Sequence, residues 1–102
     1  MAQLAHMVFF TLKDVSAESQ SGMVDACRKY LSDQPGTVHF SVGLRGEEYG
    51  RPVNVLDYHV GLHVIFEDKA AHDRYQVDER HLQFIEENKA NWDNVRIFDT
   101  YC

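Results

Sequence analysis

Between Thr37 and Phe66 the side chains alternate with a period of two in two successive stretches, a pattern that a helix cannot satisfy. In TVHFSVGLR (37–45), Val38, Phe40, Val42 and Leu44 fall on one side, and His39, Ser41, Gly43 and Arg45 on the other. The loop GEEYGRPVN (46–54) carries two glycines, a proline and charges. Beyond it VLDYHVGLHVIF (55–66) alternates again, with Leu56, Tyr58, Val60, Leu62, Val64 and Phe66 opposed to Asp57, His59, Gly61, His63 and Ile65. Two such strands joined by one loop are expected to pair as a hairpin, and the apolar face of that hairpin needs a cover.

The flanking sequence supplies it. LAHMVFFTL (4–12) is apolar at nearly every position, as in a strand covered on both faces. Ser16 is a good N-cap and Glu18 suits the positive end of a helix, after which Met23, Ala26, Cys27, Tyr30 and Leu31 recur at helical spacing until Pro35-Gly36 stops them. After the hairpin, Glu67 to Tyr75 reads as a short helix. A second helix starts near Asp78 as N-cap, with Leu82, Phe84, Ile85 and Trp92 as its buried stripe, and Val95–Tyr101 closes the chain as a strand. The order strand, helix, strand, strand, helix, strand is the α+β, ferredoxin-like βαββαβ arrangement: a four-stranded antiparallel sheet with helices on one face, in a single domain over residues 1–102. One helical layer leaves the second sheet face bare, so self-association is expected.

Charge narrows the functional classes. Ten Lys and Arg against sixteen Asp and Glu give a formal net charge of −6 without a basic run, which opposes nucleic-acid binding. No apolar run approaches the roughly 20 residues of a membrane helix, and the first twelve residues read as a strand rather than a leader, so a cytoplasmic location and no membrane partner are expected. Cys27 and Cys102 do not form a disulfide framework, and Cys27 on an apolar helical stripe reads as packing rather than as a nucleophile.

Several landmarks fall in a familiar order: His6-Met7-Val8 opening the first strand, Gly43 ending the second, Asp57-Tyr58 starting the third and Phe66 closing it. Tyr75 ends the short helix, His81 to Phe84 begins the long one, and Phe98-Asp99 marks the last strand. Over nearly the whole chain this resembles the stress-responsive dimeric α/β-barrel (Dabb) family. The resemblance implies a homodimer whose two sheets face each other as a barrel, with the helices outside. It is distantly similar to a cofactor-free polyketide cyclase of that family, olivetolic acid cyclase, which puts an acid–base pair on Tyr75 and His81 and a pocket-lining histidine on His6. Two positions depart from that pattern: Val60 stands where the cyclase has a second strand histidine, and Glu79 where a proline usually precedes the helix histidine.

Spacing tests the pair. Tyr75 and His81 would lie about 240° apart on one continuous helix, so they meet only if the chain breaks at Gln76–Asp78. Asp78 as a fresh N-cap provides that break and sets His81 in a first turn, where the positive helix end disfavours imidazolium and leaves a neutral base near pH 7. Proton abstraction beside a carbonyl needs such a base, a donor for the developing oxyanion and a dry wall. The expected parts are His81 as base, Tyr75 as hydroxyl donor, His6 as auxiliary, and Val8, Phe10, Val60, Leu62 and Trp92 as substrate-pocket walls. The expected ligand is a small apolar or aromatic carbonyl compound, turned over by a cofactor-free lyase, cyclase or isomerase step if the protein is an enzyme. A non-catalytic stress-associated structural protein, with His81 and Tyr75 satisfied by backbone and water, is the alternative. On the opposite sheet face His39, His59 and His63 offer a metal or haem set suited to a dimeric ferredoxin-like oxygenase. On strands, with no cysteine beside them, they read first as a polar layer beside Ser41 and Asp57, and neither metal nor cofactor is expected.

Overall fold

In the computed structural model, which describes residues 2–102, the apolar alternation sorts directly into a sheet with one covered face. The strands are β1 (Leu4–Leu12), β2 (Thr37–Leu44), β3 (Val60–Phe66) and β4 (Trp92–Tyr101), antiparallel in the order β2-β3-β1-β4. Helices α1 (Ala17–Leu31), α2 (Lys69–Val77) and α3 (Glu79–Asn88) lie on one face, and a 3₁₀ turn (Lys89–Asn91) leads from α3 into β4. This is the ferredoxin-like βαββαβ topology that the sequence predicts.

Register fixes which side chains enter the core. On β1, Leu4, Val8, Phe10 and Leu12 point under the helices, and Val60, Leu62, Val64 and Phe66 of β3 do the same beside them. Met23, Val24, Cys27, Tyr30 and Leu31 of α1 close over these residues, joined by Ala71, Tyr75 and Phe84. Cys27 is fully buried, and burial pushes its thiol up to about 12, so it packs as a small hydrophobe.

Helix α1 starts where Ser16 Oγ accepts the Ser19 N–H at 3.2 Å. It ends before Gly36, whose φ of +82° no side chain adopts readily. A Cβ at Gly36 would also overlap Ala71, so this turn brings α2 against the end of β2 at a separation only glycine permits.

Three boundaries differ from the sequence reading. The alternation over 55–59 is not strand: β3 begins at Val60, where its ladders with Phe10 of β1 and Leu44 of β2 both start. Val53, Val55 and Leu56 therefore lie exposed in a long 45–59 connection. The short helix begins at Lys69, with Asp68 Oδ1 accepting the Ala71 N–H at 2.9 Å, and runs on to Val77. Trp92 belongs to β4 rather than to the last helix. The 3₁₀ turn delivers it opposite Leu12 across an irregularity in the β1–β4 ladder, and its indole packs on Phe10 (5.1 Å between centroids) and Phe84 (5.6 Å).

Phe66 is fully buried at the meeting point of β3, α2 and β1. Phe66→Ala is expected to lower stability by about 3–5 kcal/mol, read from the urea midpoint at unchanged slope. A loss below about 1 kcal/mol would mean that this part of the core is not closely packed.

Candidate functional site

The helices do not reach across the whole sheet. They pack over β2 and β3, whereas the helix-side residues of edge strand β4, Val95 and Ile97, stay partly open, Ile97 at 53% exposure. Between that edge, β1 and the α2–α3 junction lies a cavity of about 140 Å³. Its lining is largely apolar, from Val8, Phe10, Leu62, Phe84 and Trp92, with His6, Tyr75, Gln76 and His81 as polar groups. Of the walls expected from sequence, Val8, Phe10, Leu62 and Trp92 line it. Val60 does not, being fully enclosed in the core.

The junction between α2 and α3 brings Tyr75 and His81 together. Asp78 stands in extended backbone between the helices (φ −64°, ψ 140°), and its carboxylate accepts the Arg80 N–H at 2.8 Å, capping α3. The break turns two residues that would diverge on one helix into neighbours, with ring centroids 4.6 Å apart. His6, from the middle of β1, sits 5.8 Å from the Tyr75 ring. The three residues expected from sequence thus share one cavity.

Their electrostatics follow from burial. Imidazolium is poorly solvated at His81, so burial lowers its pKa, and His6 and His72 nearby push the same way against the Gln76 backbone and Asp78. His81 Nδ1 is buried without a hydrogen-bond partner among the described residues. Burial also raises the Tyr75 pKa, keeping its phenol protonated. His6 is lowered chiefly by burial, opposed by the Asp99 carboxylate, whose Oδ1 lies 2.5 Å from His6 Nδ1.

Asp99 is the group that sequence reasoning left out of the site. Its signal lies in strand register: His6 pairs with Asp99 across β1 and β4, 93 residues apart, and only the ladder puts the two on one face. His72 was also missed, although it lies one turn before Tyr75 on α2. Its ring is 4.9 Å from His6.

The histidines of the opposite face do not form one group. Ser41 Oγ bridges His39 Nε2 (3.1 Å) and His63 Nδ1 (3.3 Å), because Ser41 pairs directly with His63 across β2 and β3. His59 lies before β3, and its Nδ1 accepts the Leu12 N–H at 3.0 Å. That bond withdraws His59 from a shared ligand set with His39 and His63. Arg96 reaches the Asp57 carboxylate at 2.7 Å nearby.

The sequence profile described as "Stress responsive A/B Barrel Domain" matches residues 4–102, and the chain belongs to that family. Its fold is that of a Dabb-family protein with a ferredoxin-like fold from Mesorhizobium loti, at 25% identity and a TM-score of 0.80 over 98% of this chain and 96% of that one. A dimeric ferredoxin-like protein of unknown function from Thermobifida fusca superimposes with a TM-score of 0.80 at 12% identity, covering 99% of this chain and 92% of that one. The hydroxynitrile lyase of Passiflora edulis does so at 0.78 and 14%, covering 98% and 93%. No curated protein matches the sequence. Among the described residues no helix is long and apolar enough to cross a membrane.

His6, His63 and His81 all hold their folded-state pKa below the ordinary 6.5. In the unfolded chain they take up protons as the pH falls through about 6.5, while the folded protein still resists, so stability must decline on acidification. The urea midpoint is expected to be level from about pH 8 to about pH 7 and to fall from about pH 6.5 downward, with imidazole NMR titrations placing His81 below the free value. A midpoint that is unchanged down to about pH 5 would contradict the buried neutral imidazoles.

Proposed function

We propose that this member of the stress-responsive A/B barrel family works as a homodimer that binds a small apolar or aromatic carbonyl compound in the cavity between sheet and helices. There it performs cofactor-free acid–base chemistry of the cyclase, isomerase or lyase type. The single observation that carries the reading is the unpartnered, buried Nδ1 of His81, next to a protonated phenol in an apolar cavity. A buried polar atom without a partner costs about 1–3 kcal/mol, and a site that binds a substrate hydroxyl or acidic C–H there gives that cost a use.

In this reading His81 accepts the substrate proton, Tyr75 donates to the oxygen on which negative charge develops, and the surrounding aromatic and aliphatic walls exclude water. His6 is the auxiliary group, oriented by Asp99. The cavity volume is close to the roughly 150 Å³ that accepts one benzene ring, which favours a single-ring or short-chain compound over an extended polyketide. That a hydroxynitrile lyase uses the same fold at low identity is consistent with carbonyl chemistry in such a pocket.

Dimerisation is supported by the sheet face opposite the helices. It presents Phe98, 55% exposed, together with Met7, Phe9 and Ile65, beside the exposed Val53, Val55 and Leu56 of the 45–59 connection. An apolar face of this kind, on a fold whose relatives from Thermobifida fusca and Bacteroides fragilis are described as dimeric, fits a second copy.

Two tests follow. Aromatic aldehydes, their cyanohydrins and small phenolic ketones, screened by ligand-observed NMR and for turnover, are expected to include a binder whose conversion falls about 10²–10⁴-fold in His81→Ala and less in Tyr75→Phe. Conversion retained in His81→Ala would remove His81 as the base. Light scattering at micromolar concentration is expected to give twice the chain mass, and Phe98→Asp to give the single chain. A wild-type monomer would sink the dimer.

A further inference from the structure

Around His6 a second cluster stands that the acid–base reading does not use in full. His6, His72 and Asp99 each offer one ligand atom, and these atoms all lie within 4.8 Å of one another. We propose that they form a binding site for a divalent first-row transition ion of the Zn²⁺, Co²⁺ or Fe²⁺ kind, held by two imidazoles and one carboxylate with an open position for water.

The donor set is the first argument. Two neutral imidazoles and a carboxylate suit these ions, and they differ from the all-oxygen sets of Ca²⁺ and Mg²⁺. Ligand atoms around such an ion sit roughly 3.3 Å apart, given bond lengths of about 2.0–2.2 Å. The His6–Asp99 contact is shorter than this at 2.5 Å, and the widest spacing is longer. Small side-chain rotations bring both to the required value. The Asp99 side chain, 43% exposed on an edge strand, is free to make them, whereas buried His6 is the fixed corner.

The tautomer of His72 is the second argument, and it is independent of the spacing. On one side of the ring Nδ1 faces the Asp73 carboxylate at 3.4 Å, which can only accept, so this nitrogen carries the proton. On the other, Nε2 lies 3.2 Å from the Gln76 side-chain amide nitrogen, which can only donate, so Nε2 presents a lone pair. An imidazole with one nitrogen tied to a carboxylate and the other unprotonated is the arrangement that orients a metal-bound histidine. Asp73 thus acts as a positioning residue. Among the described residues no other trio of His, Cys, Asp or Glu comes together in this way.

This proposal goes beyond the acid–base reading and stands without it, since His72 and Asp99 do not line the cavity. The experiment uses the full chain, stripped with chelator, titrated at pH 7.5 with Zn²⁺ by calorimetry and with Co²⁺ by visible absorption. One ion per chain is expected, with a Co²⁺ spectrum of low coordination number and shifts of the His6 and His72 imidazole resonances. His72→Leu and Asp99→Asn should each weaken binding at least about tenfold, and His63→Ala and Cys102→Ser should leave it unchanged. Asp99 is on the surface, so its substitution tests the site even if His72→Leu disturbs α2. Absence of binding, binding that survives either ligand substitution, or binding lost with His63 or Cys102 would overturn the site.

Discussion

The structure depends on one shortfall of coverage: three helices bury the two central strands of a four-stranded sheet and leave both edge strands, β2 and β4, partly bare. Burial of β1 and β3 beneath α1, α2 and α3 supplies the core, with Val60, Val64 and Phe66 entirely enclosed. Because β4 is an edge strand that the helices do not cross, its inward residues Val95 and Ile97 border a cavity instead of core. A wider helical layer would have made a tighter domain and no cavity. The hydrophobic effect rewards closure, and the opening that remains is bordered by His6, Tyr75, Gln76 and His81 as its polar groups.

What stands in that opening runs against packing. His6 and His81 are buried polar residues in an otherwise apolar interior, and both are driven toward the neutral form by the poor solvation of a charged ring. Their neighbours diverge. His6 is tied to Asp99 and thereby oriented, whereas His81 holds a nitrogen with no partner. The same burial that costs the fold stability favours the neutral form of both imidazoles, which is the form the proposed base requires.

The second sheet face obeys a different logic. Its middle is aromatic and polar at once, with Phe9 between Tyr58, His63 and Phe98, and Ser41 linking His39 to His63. Such a mixture suits the inside of an interface, where apolar rings are shielded and imidazoles keep hydrogen bonds through a hydroxyl. His59, the residue that would have completed a histidine set there, instead caps a free N–H at the end of β1. Backbone satisfaction took precedence over ligation at that position.

The sequence by itself determined the element order, the inward and outward faces of the strands and the break at Asp78, since each follows from local periodicity or capping chemistry. Val55–His59 alternated like a strand, but the ladders of β3 with β1 and β2 begin only at Val60, a limit set by partners far away in the chain. Trp92 was expected on a helix because its spacing fits that stripe, but a 3₁₀ turn carried it to β4 with its indole against the same core. The tertiary structure alone decided the pairing of His6 with Asp99, the approach of His72, the withdrawal of His59 and the exclusion of Val60 from the cavity. Each of these depends on the register between strands far apart in the chain, or on how far a helix reaches over a sheet, and neither quantity is encoded in the neighbourhood of the residue concerned.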